Sequence, residues 1–236
     1  QPQFDLQSEE LVGAEALLRW TDPDKGLIPP NIFIPIAEKT GLIGPIGEWV
    51  LHRACQQTKK WHDMGYPNLR VAVNLSAYQF QKTDLVDTVD AILKETGIAP
   101  ECLELELTES LLMENAETNI LTLTDLKVRN ILLSIDDFGT GYSSLSYLKN
   151  FPVDRIKIDQ SFVNQLTQQE SDASIIKAII AMGHSLQLTI VAEGIETLEQ
   201  LEFLKRHHCD EAQGYYLGRP MDAEAFSNCL DKKPLS

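Results

Sequence analysis

Positive charge is scarce in this chain. Its 236 residues hold 20 Lys and Arg against 35 Asp and Glu, a formal net charge of -15. That balance excludes a protein that grips nucleic-acid backbones by bulk basic charge, so DNA is not an expected partner. It also excludes attachment to an anionic membrane surface through a polybasic patch. Long apolar runs are missing as well. No stretch approaches the roughly 20 apolar residues that span a bilayer, and no signal peptide opens the chain. Direct membrane contact is therefore not expected. Thiols are few: Cys55, Cys102, Cys209 and Cys229 are widely spaced and form no C-x-x-C pair. That argues against a zinc site and a disulfide framework, and a reducing, cytoplasmic setting is the expectation. None of His52, His62, His184, His207 and His208 falls in H-x-x-x-H spacing, so no metal site built on imidazole is expected. Pro-, Gly- or Ser-rich linkers and low-complexity segments are also lacking, and residues 1–236 read as one domain. The abrupt start at Gln1, inside a β-like run, reads as an excised fragment or a processed end.

What is present is an alternation. Eight β-like runs stand at Gln1–Leu6, Leu11–Trp20, Arg70–Ser76, Cys102–Thr108, Ile131–Phe138, Arg155–Asp159, Thr189–Ile195 and Ala212–Leu217. Their apolar positions are rich in Val, Leu and Ile, as expected for strands buried on both faces. Helical patterns lie between them. Ile46, Trp49, Val50, Ala54, Gln57 and Trp61 recur at helical spacing, with Pro45 in the first turn and Gly65 at the end. Leu85, Val86, Val89, Ile92 and Leu93 form a second stripe, stopped by Gly97. Ile175, Ile176, Ile179 and Met182 form a third, with Ser171 as its N-cap. Thr197 and Gln200 read as a capping box, and Asp222 as the cap of the last helix. Eight alternating strands at this length predict an α/β fold, a (β/α)8 TIM-like barrel, in which the first strand is irregular or antiparallel and cut short at its start.

Barrels of this kind place their chemistry at the C-terminal ends of strands. Glu15 stands in the second run and Asn74 ends the third. Glu104 and Glu106 lie in the fourth, ahead of Glu109, and Asp136-Asp137 ends the fifth. Lys157 and Asp159 lie in the sixth, Glu193 and Glu196 close the seventh, and Gln213 begins the eighth. Bare buried carboxylates cost several kcal/mol unless paired or bound to metal. Acids at four strand ends, with an Asn and a Lys, form an all-oxygen ligand set suited to Mg²⁺ or Mn²⁺. In tandem Asp136-Asp137, one carboxylate can bridge two ions while the other binds one. Two ions about 3.5–4 Å apart are a recurrent device for displacement at phosphorus. An enolase-type barrel, with Mg²⁺ and a Lys base, also fits the acids and Lys157. The tandem Asp and Asn74 favour the two-metal phosphoryl site.

At these residues the sequence resembles the EAL-domain family of bacterial cyclic di-GMP phosphodiesterases. The resemblance runs through Glu15-Ala16-Leu17, Val73-Asn74-Leu75-Ser76, Glu106-Leu107-Thr108-Glu109-Ser110 and Asp136-Asp137-Phe138-Gly139-Thr140-Gly141. It continues in Lys157-Ile158-Asp159, Ala192-Glu193-Gly194-Ile195-Glu196 and Gln213-Gly214-Tyr215. It implies hydrolysis of cyclic di-GMP to linear 5′-pGpG, aided by two divalent cations, Mg²⁺ or Mn²⁺. Glu15, Asn74, Glu106 and Asp136 then match ligands of one metal, and Asp136 and Asp137 those of the second, with Glu193 a further metal-site acid. Lys157 matches the lysine that holds the attacking water, Glu109 the support of the loop after strand five, and Gln213 the support of the substrate pocket. Arg19 and the Leu18 backbone match a phosphate grip, Gln1 a substrate contact, and Glu196 an indirect one. The family also implies a homodimer through the loop after strand five and the following helix. Sensory or cyclase-like domains would flank this one in a longer signalling protein. The alternative within the family is a catalytically silent domain acting as a cyclic di-GMP receptor or interaction module. Bland readings compete at single residues. Glu104 has even odds of being a structural ion-pair partner, and Asp159 reads as structural. His207-His208 reads as a solvated helix end, and Trp49 and Trp61 as core.

Overall fold

The computed structural model describes residues 1–82, 84–141, 145–166 and 170–230, without the side chains of 145, 146, 170 and 171. Residues 142–144 of the glycine loop and the side chain of Ser171 therefore lie outside the described residues, and the backbone of Ser171, expected as an N-cap, is already inside the helix Glu170–Ser185.

Eight strands close into a barrel: β1 (Pro2–Asp5), β2 (Leu11–Ala16), β3 (Arg70–Asn74), β4 (Leu103–Thr108), β5 (Leu132–Phe138), β6 (Arg155–Ile158), β7 (Thr189–Ala192) and β8 (Glu211–Ala212). Strands β2 to β8 run parallel to their neighbours. β1 is antiparallel to both β2 and β8, so the irregular first strand is as expected. The helices that surround the barrel are α1 (Pro30–Thr40), α2 (Ile43–Asp63), α3 (Leu85–Thr96), α4 (Ala116–Val128), α5 (Gln160–Gln165), α6 (Glu170–Ser185), α7 (Leu198–Arg206) and α8 (Ala223–Ser227), with shorter turns between them. Local chemistry sets their ends. Gly97 takes φ 70° to close α3, Thr197 and Gln200 form a reciprocal capping box on α7, and Asp222 accepts from the Ala225 amide at the start of α8.

Alternation along the strands sorts the molecule into two interiors. Leu103, Leu105 and Leu107 on β4, Leu133 and Ile135 on β5, and Ile156 and Ile158 on β6 are fully buried in the main apolar cluster beneath the helices. Their neighbours in sequence face the barrel axis, because successive side chains of a strand point to opposite faces. Those neighbours are polar: Glu104, Glu106, Ser134, Asp136, Arg155 and Lys157. The Val, Leu and Ile expected on both faces are thus concentrated on the outer one, with Leu132 and Val191 among the few on the inner face. At the floor of the axis, Glu211 Oε2 meets Arg70 at 2.6 Å and Arg155 at 2.7 Å, and Glu104 Oε2 meets Arg155 at 3.5 Å and Arg70 at 3.9 Å. Two guanidiniums and two carboxylates cancel there, which settles Glu104 as a structural ion-pair partner.

Three expectations need correction. β2 stops at Ala16, and Trp20–Asp22 pairs instead with Gly26–Ile28 in a separate hairpin. Asp22 Oδ1 accepts from the amides of Asp24 and Lys25 and so fixes that turn. β8 ends at Ala212, because the chain turns at Gly214, where a Cβ would sit 2.1 Å from the Ile195 nitrogen. Trp49 is not core. The buried side of α2 runs through Gly47, Leu51, Ala54, Cys55, Thr58 and Trp61, and Trp49 faces away with 60% of its surface exposed.

Candidate active site

The strand ends converge on one ammonium. Lys157 enters from β6 and is 1% exposed. Its Nζ lies 2.7 Å from Glu106 Oε1, 2.7 Å from Glu193 Oε1, 3.1 Å from Asp136 Oδ1 and 3.9 Å from Glu15 Oε2. Asn74 Nδ2 donates to Glu15 Oε1 at 2.7 Å, which leaves its carbonyl oxygen as the group available to a ligand. Gln213 Nε2 donates to Glu15 Oε2 at 2.6 Å and to Glu193 Oε1 at 3.3 Å. Glu15, Asn74, Glu106, Asp136, Lys157, Glu193 and Gln213, from the ends of β2 to β7 and just after β8, are therefore one constellation.

Charge within it is unbalanced. Burial raises the Glu106 carboxyl well above its ordinary range. Lys157 opposes that shift, while Glu15, Asp136 and Glu104 add to it. Burial, opposed by Lys157 and aided by Asp136 and Glu15, lifts Glu193 to about 7. Burial and then Asp136 and Asp159 lift Asp137 to about 6. Glu15 goes the other way: burial would raise it, but Lys157, Gln213 and Asn74 hold it low. Burial would also lower Lys157, yet the carboxylates around it keep the ammonium well above its ordinary value. The residues fit a hard cation. Both oxygens of Glu106 are buried without a hydrogen-bond partner among the described residues, although Lys157 approaches one of them to 2.7 Å. Oxygens of Asp136, Asp137 and Glu193 lie within 4.8 Å of one another. Carboxylate and amide oxygens of this kind are ligands for Mg²⁺ or Mn²⁺.

These shifts predict a pH dependence. Glu193 and Asp137 keep protons in the folded state that the unfolded chain releases at its ordinary carboxylate values of 4.5 and 3.8. The stability of the metal-free protein should therefore fall as pH rises from about 4.5 toward 7. Lys157 contributes fully throughout that window, and Glu15 is lost only below it. In chelator, the melting midpoint is expected to drop by about 5 °C or more between pH 5.5 and pH 8. A midpoint that climbed over that interval would contradict the shifts.

Around the cluster, Asp137 holds φ 54°, a left-handed conformation rare for a side-chain-bearing residue and characteristic of functional sites. Glu109 Oε2 accepts from the Gly139 amide at 2.9 Å, and a Cβ on Gly141 would meet Glu109 Oε1 at 2.8 Å, so this acid lies directly under the glycine loop. Asp159 caps α5 by accepting from the Ser161 amide at 2.9 Å, as a structural residue would. Gln1, Leu18 and Arg19 line a cleft of about 640 Å³ that starts beside Glu15 and runs along α2 past Trp49 and Arg53. Glu196 does not line it: its side chain is exposed, and its amide donates to Gln200 Oε1 at the head of α7.

The EAL domain profile matches residues 1–220. The chain belongs to the EAL domain family. It is 50% identical over 95% of its length to the bifunctional diguanylate cyclase/cyclic di-GMP phosphodiesterase MucR of Pseudomonas aeruginosa, of which it covers 33%. It is 44% identical over 98% of its length to the cyclic di-GMP phosphodiesterase NbdA of the same organism, of which it covers 29%. The chain thus spans about a third of the length of these curated relatives. Among solved EAL structures, a MucR phosphodiesterase in complex with cyclic di-GMP superposes with a TM-score of 0.94 at 50% identity, covering 96% of this chain and 92% of that one. The EAL domain of FimX from Pseudomonas aeruginosa, bound to cyclic di-GMP, gives 0.82 at 28% identity, over 93% and 88%. No helix among the described residues of this EAL domain is long and apolar enough to cross a membrane.

Sequence reasoning missed Gln3 and three of the floor quartet, Arg70, Arg155 and Glu211, having named only Glu104. Arg155 precedes Lys157 by two residues, Glu104 precedes Glu106 by two and Glu211 precedes Gln213 by two. The period of a strand puts each on the same inner face as its partner, and that signal was available.

Proposed function

We propose that this EAL domain hydrolyses one phosphodiester of cyclic di-GMP to give linear 5′-pGpG. The single observation that carries the reading is the gathering of Glu15, Asn74, Glu106, Asp136, Asp137 and Glu193 around Lys157 at the mouth of the barrel. The names of MucR and NbdA, and the cyclic di-GMP in the MucR complex, support the substrate. Glu15, Asn74, Glu106 and Asp136 would hold one divalent cation. Asp136 would bridge to a second, held with Asp137, and Glu193 would serve either site directly or through water. When bound, the cations would polarise the phosphodiester and lower the pKa of the attacking water.

The chain's own residues do the rest. Lys157 stays protonated, so it orients the water instead of taking its proton. Asp137, at about 6, is a carboxylate at neutral pH and would accept that proton. Arg19 and the Leu18 backbone, on the rim of the cleft, would grip a substrate phosphate, and Gln1 would contact the substrate beside them. Gln213 steadies Glu15 and Glu193. Glu109 holds the loop at whose root Asp136 and Asp137 sit. A homodimer through that loop and the following helix belongs to the same proposal, because a second copy seated there would act directly on both aspartates. Sensory or cyclase-like domains in the whole protein belong to it too. A silent receptor would be expected to lack one of these groups, and none is missing.

The test is hydrolysis of cyclic di-GMP in Mn²⁺ or Mg²⁺, with 5′-pGpG resolved by chromatography. Chelator is expected to stop product release, and added Mn²⁺ to restore it. Absence of 5′-pGpG from folded, Mn²⁺-loaded protein would overturn the proposal.

A further inference from the structure

Gln3, on the antiparallel strand β1, is 2% exposed. It pairs with Gly13, and the register slips between Gln3 and Phe4. Gly13 stands two residues before Glu15 on the same strand face, so Gln3 opposite it points into the barrel. Gly13 leaves room for it, since a Cβ there would lie 2.9 Å from Gln3 Oε1 and 3.3 Å from the Arg70 carbonyl oxygen. In that space Gln3 Nε2 donates to Gln213 Oε1 at 3.0 Å, while Gln213 Nε2 donates to Glu15 and Glu193. Gln3 Oε1 has no partner among the described residues. An apolar residue of the same shape would spare the fold that buried, unpaired oxygen. What an apolar residue would not supply is the donor.

We infer that Gln3 is a positioning residue of the metal centre: by donating to Gln213 Oε1 it holds the Gln213 amide with its nitrogen against Glu15 and Glu193. The inference rests on the metal centre proposed above. An amide has one accepting and one donating end. Turned around, Gln213 would set its carbonyl oxygen against two carboxylates. Without Gln3, Gln213 Oε1 would be buried without a donor, and the side chain would gain by swinging toward water at the mouth. Its nitrogen would then leave both acids, and their oxygens would lose the orientation in which they meet a cation.

Partners of this outer kind commonly change metal affinity by about 10–100-fold. Gln3→Met, which keeps the shape and removes the amide, is expected to weaken Mn²⁺ binding by about 10-fold in calorimetry. Its kcat should fall while KM shifts less than about 3-fold. Gln3→Asn, polar but too short to reach Gln213, is expected to lose Mn²⁺ affinity likewise, which guards against a folding defect in either variant. In a Gln213→Met background, Gln3→Met should change Mn²⁺ affinity no further. If unaltered protein binds Mn²⁺ and releases 5′-pGpG while both Gln3 variants match it, the inference is wrong and the proposed function stands. Additive losses in the double variant would also overturn it. Failure of unaltered protein to bind Mn²⁺ would remove the metal centre, and the inference with it.

Discussion

Glu106→Gln is expected to give a folded protein that has lost cyclic di-GMP hydrolysis by about 10³-fold or more, a change of ~4 kcal/mol in the barrier. The substitution keeps the shape of a side chain that is 1% exposed, so packing survives. It removes the charge that the site needs for a cation and that the empty fold does not welcome. Burial, Glu15, Asp136 and Glu104 all resist ionisation of this carboxyl, so a neutral amide relieves repulsion. The melting midpoint in chelator should therefore hold or rise. The readout is paired: 5′-pGpG release in Mn²⁺ and thermal melting without it. Hydrolysis within a few-fold of the unaltered protein would remove Glu106 from the proposed ligands.

Lys157→Met should move both measurements down. Among the described residues, the lysine is the sole cation within 4 Å of Glu15, Glu106, Asp136 and Glu193, and removing it leaves four acids facing one another. Breaking a buried ion pair from one side costs about 3–5 kcal/mol, because the other side stays buried and uncompensated. Urea unfolding in chelator at pH 7 should register a loss of that order. Mn²⁺ should recover part of it by mass action on the folded state. Hydrolysis should remain at least about 10²-fold low even then, since a water placed wrongly by a fraction of its diameter reacts slowly. A variant as stable as the parent in chelator would mean that the acids hold protons where charge was assigned.

The barrel was legible because alternation of strands and helices is a property of local sequence. The acids were legible because a barrel gathers strand ends, so Glu106 and Asp136 could be matched without knowing any distance. Trp49 was misread for a physical reason. A helical stripe gives the period of an apolar face but not which neighbouring element covers it, and here a cleft lies beside that residue. The end of β2 was misplaced because Ala16, Leu17, Leu18 and Trp20 continue the apolar run, broken by Arg19 alone, while the backbone leaves the sheet to form a hairpin. Gln3 was missed although the period of the strand puts it on the face of Gln1, opposite Gly13 and beside Glu15.

Because the quartet of Arg70, Arg155, Glu104 and Glu211 closes the barrel floor without help from the mouth, holding the scaffold together and performing its reaction fall to different tiers of the same axis. Descendants of such a chain can shed Glu106 or Asp136 and inherit an intact container. A lesion in the floor offers no comparable route, since it removes the vessel before any new use for it can be selected.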